Sequence, residues 1–420
     1  MAGSIFSTAE SYEKSLAYQD FCPVEVKKKE YESLEMLVEK ANKWLEQHPH
    51  FSVKTAETYN IKIHKNGPEI ERMSYMRKGQ DEDSFTLADR NSYLRCLRLW
   101  LIPQMSSRKP AQIGVRTFSP KVKQSSNDTE FQLLNDTLKT MNDSFRMNPV
   151  PGHIISVETK PVKYTSVKKF NPSKSKWSEI IDQRKHFVFV IRIFYMIGSI
   201  VVETIEFKDF HPEIPLTAGG AVIYESLKSA DEFHNLHLKA QQWLETVSGI
   251  RVSNMHTIDI KMKVSQFERN RELMSFTEHN ERATLFWRAL RAVVLTSVQS
   301  CPTSGIEKLT YRTFIPVMLT NKGQFESMSD TFNRIHAWLS VIKRSWHISI
   351  LFLETVPIRL NTGGEKHHGA EAAWTVYKGA RDERWIYIIR IYLDGTFTEP
   401  PPNSLPYVPP VLEKSTCKLQ

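Results

Sequence analysis

Cysteine is scarce in this chain. The four that occur, Cys22, Cys96, Cys301 and Cys417, stand far apart and never in CxxC pairs; such spacing gives no zinc site and reads as a chain kept in a reducing compartment. Long apolar runs are missing as well. The longest, Phe187 to Val202, carries Arg192 and breaks at Gly198-Ser199, so it reads as two strands, whereas a membrane span needs roughly 20 apolar residues without such breaks. Met1-Ala2-Gly3-Ser4-Ile5 has neither the basic and apolar regions of a secretory leader nor the second-position glycine of a myristoylation signal. A cytoplasmic protein is the expectation. Catalytic signatures are absent too: Gly219-Gly220 reads as a turn, and no G-x-S-x-G, phosphate-cradling loop, paired catalytic carboxylate or Cys/His arrangement stands out. No catalytic residue and no cofactor is assigned. His234 and His237 share one turn of a helical stretch, and His367-His368 lies in a loop beside Gly363-Gly364. Neither pair has a third ligand within view, so no metal is expected.

What is present describes a folded chain. Of 420 residues 40% are hydrophobic and 25% charged, which is ordinary for a globular protein and wrong for a disordered one. The net charge of +9 comes from 56 basic and 47 acidic residues, a mixed surface with some attraction for phosphate-rich partners.

Three landmarks recur in one order, about 92–104 residues apart. The first is an F-x-P turn, at Phe21, Phe118, Phe210 and Phe314. The second is a strand reading E-T-x-x-[IV]-[KR], at Glu57-Thr58, Glu158-Thr159 and Glu354-Thr355, with His256-Thr257 in its third appearance. The third is a strongly apolar strand holding one arginine, at Arg98, Arg192, Arg291 and Arg390. Between the first two landmarks lies an amphipathic stretch. Leu34, Leu37, Val38, Ala41, Trp44 and Leu45 make its apolar stripe in the first copy, and Trp243-Leu244 and Trp338-Leu339 match Trp44-Leu45 in the third and fourth. The spacing predicts an α+β fold of four tandem βαββ repeats, at 1–103, 104–198, 199–300 and 301–398, with about twelve strands and four helices. The curled antiparallel sheets, each covered by one helix, are expected to form a pseudo-symmetric assembly, as two paired halves or a closed ring. Consecutive copies are expected to share a hairpin between one arginine strand and the next F-x-P strand. The long segments between the second and third strands read as polar loops. The unit's order of elements is similar to that of dodecin-like βαββ folds, a likeness of topology that carries no function.

Side chains alternate along a strand. Glu57, Glu158 and Glu354 therefore share a face with apolar neighbours such as Ile61, Val162 and Ile358, and the arginines sit among residues such as Trp100 and Phe194. Three structural pairs follow: Glu57 with Arg98, Glu158 with Arg192, and Glu354 with Arg390. Each is expected to be a bidentate cross-strand pair that fixes register. With His256 in place of glutamate, Arg291 is left without its acid, so His256 and Arg291 are the ligand-binding candidates.

Lys163, Lys168, Lys169, Lys174 and Lys176, interleaved with Tyr164, Phe170 and Trp177, make a surface-binding candidate, for which anionic lipid fits better than nucleic acid. Residues 399–420 form a proline-rich tail ending Cys417-Lys418-Leu419-Gln420. That tetrapeptide reads as a farnesyl-type prenylation box, although Lys418 is not aliphatic. The leading functional expectation is a non-catalytic eukaryotic binding protein, meeting a protein partner or an anionic membrane surface, cytoplasmic or peripherally membrane-bound. The alternatives are a carrier of a small or apolar ligand between helices and sheets, and an enzyme with its site in the third repeat.

Overall fold

A computed structural model describes residues 16–28, 30–64, 67–77, 91–104, 109–123, 130–179, 184–213, 232–262, 271–278, 284–297, 305–320, 323–362, 365–366, 369–377 and 383–405. The chain is a mixed α+β protein of mostly antiparallel strands with four described helices. It runs β1 (Ala17–Phe21), α1 (Leu34–Gln47), β2 (Phe51–His64), β3 (Ser74–Arg77), β4 (Asn91–Pro103). There follow β5 (Ile113–Phe118), α2 (Leu134–Met147), β6 (Gly152–Tyr164), β7 (Lys176–Glu179) and β8 (Lys185–Ile197). Next come β9 (Glu203–Phe210), α3 (Phe233–Leu244), β10 (Arg251–Lys261), β11 (Ser275–Glu278) and β12 (Thr284–Ser297). The last set is β13 (Leu309–Phe314), α4 (Met328–Ser345), β14 (Ser349–Thr362), β15 (Trp374–Tyr377) and β16 (Glu383–Asp394). Strands of two or three residues decorate the connections.

Four sheets share one strand order. The arginine strand is central in each: β4 lies between β1 and β2, β8 between β5 and β6, β12 between β9 and β10, and β16 between β13 and β14, always antiparallel. The helical crossover from β1 to β2 leaves a gap one strand wide, and β4 fills it by returning from β2. This is the split βαβ arrangement. It overturns the expected hairpin between consecutive arginine and F-x-P strands, since β8 and β9 belong to different sheets. An apolar central strand needs a partner on both edges, and the strand before its own helix supplies the second.

The long connections are not free loops either. Each sends a short strand onto the central strand of the preceding sheet: β7 pairs with β4, β11 with β8, β15 with β12, and β3 with β16. The same connections cap helices. Ser173 accepts the Leu34 N–H at 3.2 Å, Glu272 accepts that of Leu134 at 2.9 Å, and Glu71 accepts that of Met328 at 2.8 Å, satisfying donors that a helix start leaves open. Ser327 and Asp330 add a capping box to α4.

Each helix packs on its own sheet and reaches the next. The α1 core takes in Ile113, Ile155 and Phe194; that of α2 takes in Ile205, Val293 and Leu295; that of α3 takes in Leu309, Phe352 and Tyr392; and that of α4 takes in Leu16 and Trp100. A polar residue on the helix covers the next sheet's edge. Asn42 exchanges two hydrogen bonds with the Ile113 backbone (2.8 and 2.9 Å) and Asn142 two with Ile205 (3.0 and 2.9 Å), while Gln241 accepts from the Leu309 N–H. Contacts of this kind link neighbouring sheets.

Cys22 and Cys96 are disulfide-bonded, with Cα atoms 4.4 Å apart across a separation of 74 residues. This overturns the reading of isolated cysteines. Pairing of β1 with β4 brings the end of one strand beside the middle of the other, which spacing along the chain could not show. The compartment inferred from cysteine scarcity loses its support with it. Among the described residues no helix is long and apolar enough to cross a membrane.

Replacing Asn142 by alanine leaves the buried Ile205 N–H and C=O without partners, which costs about 1–3 kcal/mol per group. Urea denaturation of Asn142→Ala is expected to show a loss of about 2 kcal/mol or more; a loss below about 0.5 kcal/mol, the usual effect of a neutral surface change, would rule out the edge-covering role.

Candidate functional site

The site grows from one irregularity used four times. Each E-T strand carries a register shift: between Val53 and Thr55 in β2, Ile154 and Ser156 in β6, Val252 and Asn254 in β10, and Ile350 and Phe352 in β14. A bulge bends its strand and re-aims the residues that follow. Here it turns the next residues toward the neighbouring sheet. Glu158 accepts from the Thr58 backbone N–H (2.8 Å) and hydroxyl (2.5 Å). Glu354 does the same to Thr257 (2.6 and 2.9 Å), and Glu57 to Thr355 (2.9 and 2.6 Å). In the remaining gap His256 Nε2 accepts the Thr159 N–H at 3.3 Å. Four side chains therefore link four strands head to tail.

The arginines complete the ring. Each sends one guanidinium N–H to the threonine hydroxyl of the preceding sheet: Arg98 to Thr355 (3.1 Å), Arg192 to Thr58 (2.9 Å), Arg291 to Thr159 (3.0 Å) and Arg390 to Thr257 (2.8 Å). In register Glu57 stands opposite Arg98, Glu158 opposite Arg192, His256 opposite Arg291 and Glu354 opposite Arg390. The side chains then divide. Arg192 reaches Glu158 at 3.1 Å and Arg390 reaches Glu354 at 2.9 Å, each through one nitrogen. Arg98 instead forms a bidentate pair with Asp20 (2.7 and 2.6 Å) and Arg291 one with Asp209 (2.7 and 2.5 Å). Glu57 turns away from Arg98 and takes the Trp100 indole N–H at 2.9 Å.

Three expectations need correction. The Glu57 and Arg98 side chains are not each other's partners, the Glu158–Arg192 and Glu354–Arg390 pairs are single contacts and not bidentate, and Arg291 does not lack an acid, because Asp209 on the F-x-P strand supplies it. The signal was present in the sequence: aspartate precedes the F-x-P turn at Asp20 and Asp209, whereas threonine does at Thr117 and Thr313.

Electrostatics follow from burial. Desolvation raises the Glu57 carboxyl above the usual range, against the opposing pull of Lys160, Arg98 and the Thr355 hydrogen bonds. Burial, reinforced by Arg291 and Lys160, pushes His256 well below its ordinary 6.5. A neutral His256 is what the Thr159 N–H requires, since an acceptor nitrogen cannot carry a proton.

Past the threonines the four strands surround a partly open cavity of about 210 Å³. Thr58, Thr159, Thr257 and Thr355 all line it, with aromatic side chains from every sheet, among them Tyr59, Phe187, Phe286 and Trp385. Tyr93 and Trp177 stack at 4.4 Å on its wall.

The remaining sequence candidates are dispersed. Lys163 donates to the Ser178 carbonyl at 2.5 Å, and Lys176 lies over the Tyr31 ring at 4.6 Å. Lys169 and Lys174 are exposed. Lys168 has its backbone in a short turn, Val167–Lys169, and its side chain lies outside the described residues. Trp177 faces the cavity, so the basic and aromatic residues do not form one strip. Cys417 and His367-His368 lie outside the described residues. The His234 and His237 rings are 6.3 Å apart, and among the described residues no group of three His, Cys, Asp or Glu is placed to hold a metal.

Because the folded-state pKa of His256 lies well below 6.5, the unfolded chain takes up this proton first. The stability is complete above about pH 6.5 and falls as pH falls through the window beneath it. His237, held at about 4 chiefly by burial, acts in the same direction. Urea midpoints are expected to drop from pH 7 to pH 5, and His256→Gln to flatten that dependence; a wild-type midpoint constant across the window would contradict the neutral-histidine link.

No family model, curated protein or solved structure matches the chain.

Proposed function

We propose that the chain is four copies of one βαββ unit, with boundaries near 1–103, 104–198, 199–300 and 301–398, closed into a pseudo-symmetric ring. We further propose that the ring binds a small planar molecule in its axial cavity and performs no chemistry on it. The observation that carries this reading is one chamber walled by aromatic side chains from all four sheets. Ligand sites are concave, largely apolar and set with a few polar groups, and the threonine ring supplies polar groups already held in place. A dry apolar cavity of about 150 Å³ suffices to take up benzene, so a chamber of about 210 Å³ suits one aromatic ring with a substituent.

This differs from the carrier expected between helices and sheets. Those spaces are filled: Leu37, Ala41 and Leu45 pack against Leu97 and Leu99, and Ile335 and Leu339 against Ile389 and Ile391. The reading as an adaptor for anionic surfaces keeps Lys169 and Lys174 as exposed cations and has less behind it. An enzyme in the third repeat loses its rationale once Arg291 is paired with Asp209.

Saturation-transfer NMR with benzyl alcohol and indole is expected to show binding to the wild type. Ile258 lines the cavity and is buried, so Ile258→Trp fills it and is expected to weaken both probes at least tenfold while the chain stays folded. No binding to the wild type, or undiminished binding to a folded Ile258→Trp, would overturn the cavity as the site.

A further inference from the structure

One cavity-lining side chain has a nitrogen with no partner. Arg95, on β4, lines the chamber and is only 5% exposed. One of its Nη atoms donates to the Pro161 carbonyl at 3.3 Å, whereas the other has no hydrogen-bond partner among the described residues. No carboxylate of the described residues forms an ion pair with it. A buried guanidinium without an ion-paired partner costs several kcal/mol, and Glu158, beyond contact distance, offsets only part of the burial, so an arrangement of this kind invites an explanation.

The opposite side of the ring shows the compensated version. Arg288 stands three residues before Arg291, as Arg95 stands three before Arg98, and its register partner on β10 is Asp259. The two side chains pair, Nε to Oδ1, at 3.1 Å. The register partner of Arg95 on β2 is Asn60. An amide therefore stands where the other half of the ring has a carboxylate, and its oxygen accepts from the Trp177 indole N–H at 3.3 Å. The two other sheets place no cation here: Phe189 lies opposite Pro161 and Tyr387 opposite Pro357. The other charges around the chamber have partners of their own. Glu179 faces Lys185 at 3.7 Å and Lys160 faces Glu158 at 4.0 Å.

We propose that the cavity is selective for a planar aromatic monocarboxylate, whose carboxylate takes at Arg95 the place that the Asp259 side chain takes at Arg288, while its ring lies among Tyr93, Trp177 and Phe187. This rests on the cavity reading above and adds the charge of the ligand. Burial and the nearby Arg192 lower Arg95 to about 9, which leaves it protonated at neutral pH. A carboxylate brought from water to this guanidinium finds a preformed charge-assisted donor, in a chamber whose lining adds rings, threonine hydroxyls and the charged Lys160, Glu179, Asp259 and Glu278.

Benzoate and benzyl alcohol differ in charge and little in shape, so their comparison by calorimetric titration at pH 7 isolates the claim. Benzoate is expected to bind at least tenfold more tightly, the difference a charge-assisted hydrogen bond supports. Arg95→Gln is expected to remove that preference, bringing benzoate and benzyl alcohol to similar affinities. Asn60→Asp supplies the carboxylate from the chain itself; it is expected to raise the thermal midpoint and abolish the benzoate preference, and this variant keeps the claim testable should Arg95→Gln not fold. Equal affinities for the two probes in the wild type, or a benzoate preference that survives in folded Asn60→Asp, would overturn the anionic ligand while leaving the cavity reading intact. Failure of both probes to bind overturns the two together.

Discussion

Four backbone amides, those of Thr58, Thr159, Thr257 and Thr355, tie the four E-T strands to one another. Each donates to a side chain of the adjoining sheet, and each acceptor but one is a buried carboxylate. Burying a carboxylate is costly unless its lone pairs are occupied. Here they are filled by an amide, a hydroxyl and, for Glu158 and Glu354, an arginine. Removing one member exposes the others to an uncompensated low-dielectric environment, so the ring acts as a unit more than as four independent contacts. The other links between neighbouring sheets run both ways: the helix cores and the edge-covering Asn42, Asn142 and Gln241 reach the next sheet, and the short strands are lent to the preceding one.

Two solutions for the arginine alternate around this ring. In the first and third sheets the counter-charge comes from the F-x-P strand, through Asp20 and Asp209; in the second and fourth it comes from Glu158 and Glu354 on the E-T strand. The layer beyond alternates in step, with Arg95 and Arg288 facing Asn60 and Asp259, and Phe189 and Tyr387 facing the prolines. His256 belongs to this logic. Asp209 already neutralises Arg291, so a neutral acceptor for the Thr159 N–H is enough, and burial keeps the imidazole unprotonated. At this layer the first and third sheets differ in charge, with Asn60 facing Arg95 where Asp259 faces Arg288.

The features legible in the sequence were those carried by local pattern. The apolar stripe from Leu34 to Leu45 marks α1, described as Leu34–Gln47. The E-T and arginine landmarks fall on β2, β6, β10 and β14 and on the central strands, and the glutamates and arginines stand opposite one another in register. What stayed hidden depends on pairing between distant segments. The strands β3, β7, β11 and β15 have four residues each and owe their existence to a neighbouring sheet's edge, which no local period reports. Glu57 facing Thr355 spans nearly 300 positions, and the bulge that aims it leaves no compositional trace. Asp20 and Asp209 were readable in principle, because the residue before the F-x-P turn alternates between aspartate and threonine; so was the substitution of Asn60 for Asp259, once the two strands are set side by side.

Hydrogen exchange of the four threonine amides tests the closed ring most directly. Donors buried in bonds between sheets open only when the sheets separate. Thr58, Thr159, Thr257 and Thr355 are expected to exchange together, at the free energy of global unfolding. Exchange of these four amides at the rate of solvent-facing strand ends, with the central strands still protected, would contradict the ring.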